Sequence, residues 1–339
     1  MTERGRHMRA EIAEAPGVFA RTIANAVSPE ARATLAALNP NQARAFYTIA
    51  RGSSDAAANI LSYEFMRELG LPMTSLPPSI FSVGNGVDLS GSISIVVSQS
   101  GASEDLVRSA NGAQANGSIV IGLINQADSA VEATAHLTLP IGAGPELAVP
   151  ATKTVIGSIA AGMALLSQLH PGYASQAATA GQTIAALAGV AHPHANSIAA
   201  ALFHARHVYI IGRDTGLGAA QELALKLKET CAIHAEAYSS SEVLHGPLQL
   251  ATNPLLILIL DTGQPDIQAS LNTAEARFRV NGAAMFRLSP ADVGAHNLTP
   301  AAAAALLLCL CYPLVLETAL ALGLNPDHPA TLSKVTQTT

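Results

Sequence analysis

Residues 222–250 read ELALKLKETCAIHAEAYSSSEVLHGPLQL and carry a dense set of groups able to do chemistry. Leu223, Ala224, Leu225 and Leu227 interleave with Lys226, Lys228 and Glu229, which predicts a helix. Lys226 and Glu229, three apart, then share a face, and Glu222 lies one turn before Lys226 on that face. Alone, such pairs are what a solvated surface helix carries. The rest of the stretch is expected to be irregular. It is Ser-rich, holds His234, Glu236, Glu242 and the His245-Gly246-Pro247 turn, and precedes a strand expected at Leu255–Leu260. A polar loop of this density marks a site rather than a linker.

A second constellation is Ser98-Gln99-Ser100-Gly101-Ala102-Ser103, between an expected buried strand at Ile93–Val97 and an expected helix at Glu104–Ala115. Three hydroxyls, an amide and the free N–H groups of a helix start can hold a phosphate dianion without a Lys. Capping accounts for one such Ser, not for the whole run. Arg51-Gly52-Ser53-Ser54 fills the first strand-to-helix turn. In an open parallel sheet, ligands bind beyond the carboxyl ends of the strands, where both loops would lie. Further on, Thr152 is placed to cap a long helix over Thr152–Leu169. Lys153 in its first turn opposes the helix dipole and calls for an acidic partner, for which Glu146 is the candidate.

The elements that must position these groups follow from hydrophobic period. Residues 9–38 predict one or two helices broken at Ser28-Pro29. Strands are expected at Phe46–Ala50, Pro72–Leu76, Ile93–Val97, Ser118–Leu123 and His136–Leu139, with helices at about Ala56–Leu69 and Glu104–Ala115. After Ala-rich helices over 171–200 the pattern restarts with a strand at His207–Ile211. Tyr47-Thr-Ile-Ala-Arg51 and Tyr209-Ile-Ile-Gly-Arg213 correspond, which suggests two copies of one α/β unit. Strands at Leu255–Leu260 and Ala284–Leu288 and a helix at Thr299–Leu322 complete the second. The expected fold class is α/β, two tandem units, each a parallel sheet flanked by helices in three αβα layers. The division is 1–40, N-terminal helices; 41–172, first unit; 173–200, connector; 201–324, second unit; 325–339, a tail without periodicity.

Composition narrows the function classes. Charged residues are 12% of the chain against about 25% in average usage, hydrophobic residues are 49%, and there is no Trp. So little charge, with Ala- and Leu-rich helices over 152–190 and 301–322, implies a large buried subunit interface. A net charge of −6 without a basic cluster speaks against nucleic acid, while a local site can still bind an anion. Cys231, Cys309 and Cys311 sit in apolar helical contexts and read as buried thiols in a reducing compartment, not as a disulfide framework or zinc site. The N-terminus lacks the apolar run of a signal peptide. Ala301–Leu316 is uncharged but short for a membrane span and reads as a buried helix. His7, His170, His192, His194, His204, His207 and His296 carry no pattern and read as surface or capping residues; His234 reads as a structural hydrogen bonder.

ALKLKE, HAEAY and HGPL, in this order, resemble the sugar isomerase (SIS) domains of the glucosamine-6-phosphate synthase family. The Ser98 run resembles that family's phosphate loop, with Ala102 where a Glu is usual. PELAVPATKT (145–154) resembles its E-x-x-V-A-[SA]-T-K-[ST] segment, and NPDHPATLSKVT (325–336) resembles its D-x-D-x-P-R-N-L-x-K-S-V-T ending. The resemblance runs from about residue 30 to the end and implies two tandem SIS domains. It implies that Glu229 moves a proton between sugar carbons, with Lys226 beside it. It implies that His245 is lent by the neighbouring subunit to open the sugar ring, and that Lys334 in the closing tail contacts the open-chain sugar. Ser53, Ser54, Ser98, Gln99, Ser100 and Ser103 would hold hydroxyls and phosphate. Val149 would contact sugar through its backbone, and the next contact, often a Ser in the family, falls on Ala151, which lacks that hydroxyl. Arg51 stands where the synthases have Cys.

The sequence has no counterpart of the synthases' ammonia-supplying glutaminase domain. The expected reaction is therefore isomerisation and deamination of glucosamine 6-phosphate to fructose 6-phosphate and ammonia, as in SIS-type glucosamine-6-phosphate deaminases. Acid–base chemistry of this kind needs no metal or redox cofactor. A fructosamine-6-phosphate deglycase, a galactosamine-6-phosphate deaminase and a non-catalytic sugar-phosphate-binding regulator stay open. The regulator is disfavoured because no basic helix-turn-helix precedes residue 40. A cytoplasmic homodimer with shared sites, a phosphorylated amino sugar as ligand, and no nucleic acid, membrane or cofactor complete the expectation.

Overall fold

The computed structural model describes residues 4–334. It opens with α1 (Arg6–Asn25) and α2 (Pro29–Ala37). They part at Ser28, whose hydroxyl accepts the Ala31 N–H at 3.1 Å. The first sheet is built from β1 (Ala45–Ile49), α3 (Gly52–Leu69), β2 (Met73–Ser75), α4 (Ser79–Ser82), β3 (Ser92–Ser98), α5 (Glu104–Ala115), β4 (Ile119–Ile124), α6 (Ala130–Thr134) and β5 (Leu137–Pro140). Three helices follow, α7 (Lys153–Leu169), α8 (Ala174–Ala186) and α9 (Ala195–His204). The second sheet comes from β6 (His207–Gly212), α10 (Thr215–Cys231), β7 (His234–Ser239), β8 (Leu256–Leu260), α11 (Gln268–Val280) and β9 (Ala284–Leu288), and α12 (Pro300–Ala321) closes the order.

Both sheets are parallel and flanked by helices. The first runs β2-β1-β3-β4-β5 and the second β7-β6-β8-β9, so each turns back beside its opening strand. β3 (SISIVVS) and β8 (LILIL) are buried along their whole length, as central strands covered on both faces must be. α12 is apolar on every side and mostly buried inside the fold. Among the described residues it is the helix long and apolar enough to cross a membrane, and here it serves as a core element. Thr299 caps it by accepting the Ala302 N–H, and Pro300 takes the first turn, where its missing donor costs nothing.

The first helices of the two units, α3 and α10, cross closely. At Gly218 a Cβ would come within 2.6 Å of the Ile60 side chain and 2.9 Å of the Ala56 carbonyl oxygen, so the contact requires glycine. This crossing brings the middle of α10 toward the carboxyl end of the first sheet, where α3 begins.

Several expectations need correction. α3 starts at Gly52 rather than about Ala56, so Ser53 and Ser54 lie in its first turn. Residues 234–239, expected to be irregular, form the edge strand β7, paired with β6 from His207 to Gly212. α4, α6 and α11 were not anticipated. His192, read as surface or capping, is buried: its ring bonds Asp292 at 3.1 Å and accepts the His194 N–H at 3.1 Å just before α9, a capping contact. His234 does hydrogen bond, with the His207 ring at 3.2 Å. Of the tail motif, Val335 and Thr336 lie outside the described residues.

Candidate active site

β1 and β3 are neighbours, but the chain leaves them toward opposite edges of the sheet. Their carboxyl ends therefore frame a crevice, the usual ligand position in such sheets. A cavity of about 320 Å³ lies there. The turn after β1 supplies Arg51, Ser53 and Ser54, and the loop after β3 supplies Ser98, Gln99, Ser100 and Ser103. Val149, Ala151, Glu229 and Lys334 complete the wall. Ten of the twelve predicted site residues thus converge from five stretches of chain.

The phosphate-loop candidate is a preformed turn. Ser98 Oγ accepts the Gly101 N–H at 2.9 Å and Ser100 Oγ accepts the Ala102 N–H at 3.3 Å. Gly101 has φ +60°, and a Cβ there would lie 2.3 Å from Ser129 Oγ, so only glycine fits. Ser103 stands at the N-cap of α5 without using its side chain as a cap, leaving its hydroxyl for the cavity.

Glu229 reaches the cavity from α10. Behind it Lys226 is fully buried, bonded to Glu229 and 3.7 Å from Glu222 Oε1. Burial alone would depress the Lys226 ammonium, but the two carboxylates outweigh it and the net shift is upward, which keeps the charge in place. Burial pushes Glu222 up to about 7, against the pull of Lys226 and of the Ser53 and Tyr312 hydroxyls. Tyr312 donates to Glu222 at 3.2 Å, so α12 braces the back of the cluster. Lys226 is therefore beneath the cavity rather than in its wall. It orients the Glu229 carboxylate and holds positive charge behind it.

The loop before α7 is tied on three sides. Glu146 accepts the N–H groups of Thr152 and Thr154 at 2.9 and 3.1 Å and the Thr154 hydroxyl at 2.5 Å. The expected pairing of Lys153 with Glu146 is incorrect. Lys153 Nζ bonds Glu14 of α1 at 2.6 Å, while Glu146 is consumed by capping α7, a task in which the Thr152 side chain takes no part. Glu11 of α1 accepts the N–H groups of Leu147 and Ala148, and burial raises its carboxyl to about 7. Lys334 Nζ donates to the Ala148 carbonyl at 2.6 Å and lies 3.5 Å from Glu146. Sequence reasoning missed Glu11 and Tyr312, and their spacing carries no signal. Their partners lie far along the chain.

His245 does not line this cavity. It sits exposed between two 3₁₀ turns, Glu242–Leu244 and Gly246–Thr252, at φ −83° and ψ −120°. A larger cavity, about 730 Å³ and mostly apolar, opens at the amino end of the second sheet around His204, His207 and Leu250. Among the described residues no carboxylate lines it and it holds none of the predicted site residues, so chemistry rather than size makes the first cavity the candidate site.

The sequence profile of the SIS domain family matches residues 41–168 and 201–289. The chain belongs to the SIS domain family. It is 30% identical to the glutamine–fructose-6-phosphate aminotransferase (isomerizing) of Aeropyrum pernix over 96% of this chain and 56% of that protein. It is also 30% identical to the Zymomonas mobilis enzyme of the same name, over 81% of this chain and 48% of that one. This SIS chain thus spans about half the length of the curated relatives it matches, and it is related to their isomerase part. Among solved structures, a candidate phosphosugar isomerase from Silicibacter pomeroyi superposes with TM-score 0.84 at 32% identity, covering 95% of this chain and 99% of the other. The glucosamine-6-phosphate deaminase of Thermotoga maritima gives 0.74 at 17% identity, over 98% and 100%, which speaks for a common fold.

Proposed function

We propose that this SIS protein isomerises and deaminates an amino-sugar phosphate, converting glucosamine 6-phosphate to fructose 6-phosphate and ammonia. The observation that carries the reading is the convergence, in one crevice, of a hydroxyl-rich phosphate loop with a Glu229 carboxylate backed by buried Lys226. The phosphate would seat on Ser98, Ser100 and Ser103, with Ser53 and Ser54 on adjacent oxygens. Glu229 would then face carbons 1 and 2 of the open chain.

In the proposed sequence a ring-opening base gives the open-chain aldehyde. Glu229 takes the proton from C2, the electron pair of that bond forms the C1=C2 bond of an enolamine, and the displaced C1 carbonyl pair stays on O1, which takes a proton from water. Returning the proton to C1 leaves an iminium at C2. Water adds to that carbon, and the C–N bond breaks to release ammonia and the ketose. Lys334, held by Ala148 at the rim, would contact the open-chain hydroxyls. The ring-opening base is assigned to His245 of a second copy, because His245 of the same chain lies away from the cavity. A cytoplasmic homodimer with composite sites follows from this reading, with the tail from residue 325 closing each site; its residues 335–339 lie outside the described residues.

Ammonia release measured across glucosamine, galactosamine and fructosamine 6-phosphates tests it. Stoichiometric ammonia and fructose 6-phosphate from glucosamine 6-phosphate is the expected result. Release from a fructosamine 6-phosphate alone would make the protein a deglycase. Tight binding with no turnover of any of them would leave a regulator.

A further inference from the structure

The chemistry above leaves Arg51 without a task. It stands two residues beyond the end of β1, and its Nε and Nη2 both approach Asp105 Oδ2, at 2.8 and 2.7 Å. The Asp105 side chain is 1% exposed, whereas that of Arg51 is 53% exposed. Asp105 lies in the first turn of α5, and its Oδ1 accepts the Leu106 N–H at 2.9 Å. A buried carboxylate is therefore fixed next to the loop proposed to receive a phosphate dianion, where it would repel that ligand unless a cation intervenes.

Arg51 is positioned to be that cation, and its geometry supports more than neutralisation. The guanidinium is a planar fork of five donors. Its Nε–Nη2 edge is committed to Asp105, which aims the plane. Nη1 makes no hydrogen bond to the described residues, and Arg51 lines the cavity together with Ser100 and Ser103. The Ser98–Ser103 run contains no basic residue. The other cations nearby have other places, Lys226 behind Glu229 and Lys334 on Ala148 beside Glu146, where the proposed reading gives it the open-chain hydroxyls.

We propose that Arg51, aimed by Asp105, binds the substrate's phosphate through its free edge and sets the preference for phosphorylated over unphosphorylated sugars. This rests on the reading that the crevice holds a sugar phosphate. The test is calorimetric titration with glucitol 6-phosphate and with glucitol, which lack a carbonyl and cannot be turned over. Arg51→Ala is expected to weaken glucitol 6-phosphate about tenfold to hundredfold while leaving glucitol unchanged. Arg51→Lys keeps the charge but not the fork and should recover part of the loss. The double variant Arg51→Ala/Asp105→Asn leaves no buried unpaired carboxylate, so it keeps the test usable if the single variant does not fold. It is expected to stay weak. Recovery of wild-type affinity in the double variant would mean that Arg51 only neutralises Asp105, and the proposal would fall. Unchanged affinity in Arg51→Ala would overturn it too. A wild-type protein that binds glucitol 6-phosphate no better than glucitol would instead remove the sugar-phosphate reading, and this inference with it.

Discussion

The carbonyl of Asp327 accepts the Val149 N–H at 2.9 Å and so ties the C-terminal tail to the loop that lines the cavity. The same residue's carboxylate accepts the N–H groups of Met8 and His7, at 2.8 and 3.2 Å, and caps the start of α1. One buried residue thus joins the first helix, the cavity loop and the tail that carries Lys334. Replacing Asp327 by Ala removes the cap, which costs about 1 kcal/mol of stability by analogy with other N-caps. It should also raise KM, because the segment whose carbonyl holds Val149 and which leads to Lys334 is no longer pinned to α1. Asp327→Asn keeps an acceptor and should restore most of both. Denaturant midpoints and steady-state kinetics on the two variants check this. Equal damage from Ala and Asn would refute a capping role.

Glu229→Gln preserves shape and removes the proton carrier. Turnover is expected to fall by about two to four powers of ten, as for loss of a general base, with KM changed little. Deuterium exchange from solvent into the sugar carbons reads the step directly. Exchange at the wild-type rate in the variant would exclude Glu229 as the shuttle.

How much of this was legible in the sequence depended on distance along the chain. The Ser98 loop and the Lys226–Glu229 face are local patterns, since turn residues and helical spacing fix them within a few positions. β7 was not legible. At the sheet edge its His234, Glu236 and Tyr238 alternate with small Ala residues, so the two-residue period carries little hydrophobic contrast. Nor was the clamp on residues 146–148. Glu11 and Ala148 meet only because α1 packs beside α7. The partner of Lys153 was misassigned for the same reason. Glu146 was near in sequence, but tertiary packing offered Glu14, and the α7 N-terminus took Glu146.

Glu64 permits a test of the core that leaves the site untouched. It is buried in α3, accepts the Tyr173 hydroxyl at 2.6 Å and the Ala301 N–H at 3.2 Å, and burial raises its pKa from 4.5 to about 7 against those bonds. The folded chain therefore keeps this proton at pH values where the unfolded chain has released it. The sign follows. The contribution is full below about pH 4.5 and is lost as pH rises toward 7, with a slope of at most about 1.4 kcal/mol per pH unit. Glu64→Gln cannot titrate and should flatten part of the decline, leaving the share due to Glu11 and Glu222, which burial shifts the same way. Unfolding free energies between pH 4.5 and 8 measure it. Identical slopes for wild type and variant would show that Glu64 does not titrate in this window.

The exposed position of His245, away from the cavity of its own chain, makes subunit complementation the decisive measurement for the shared site. His245→Ala and Glu229→Gln should each be inactive as homodimers. If a second copy lends His245, a mixed dimer contains one site in which both residues are wild type and another carrying both lesions. About half of the chains form mixed dimers in an equimolar, freely exchanging population, and each mixed dimer holds one intact site of two. Activity should therefore return to about a quarter of wild type. If each chain builds its own site, every site keeps one lesion and nothing returns. An imidazole suits the proposed step, since one ring can take the anomeric proton and return one to the ring oxygen. Mass measurement of the mixture establishes that exchange has occurred. Exchange without recovered activity would leave His245 a residue of its own chain's surface, and ring opening would need another base.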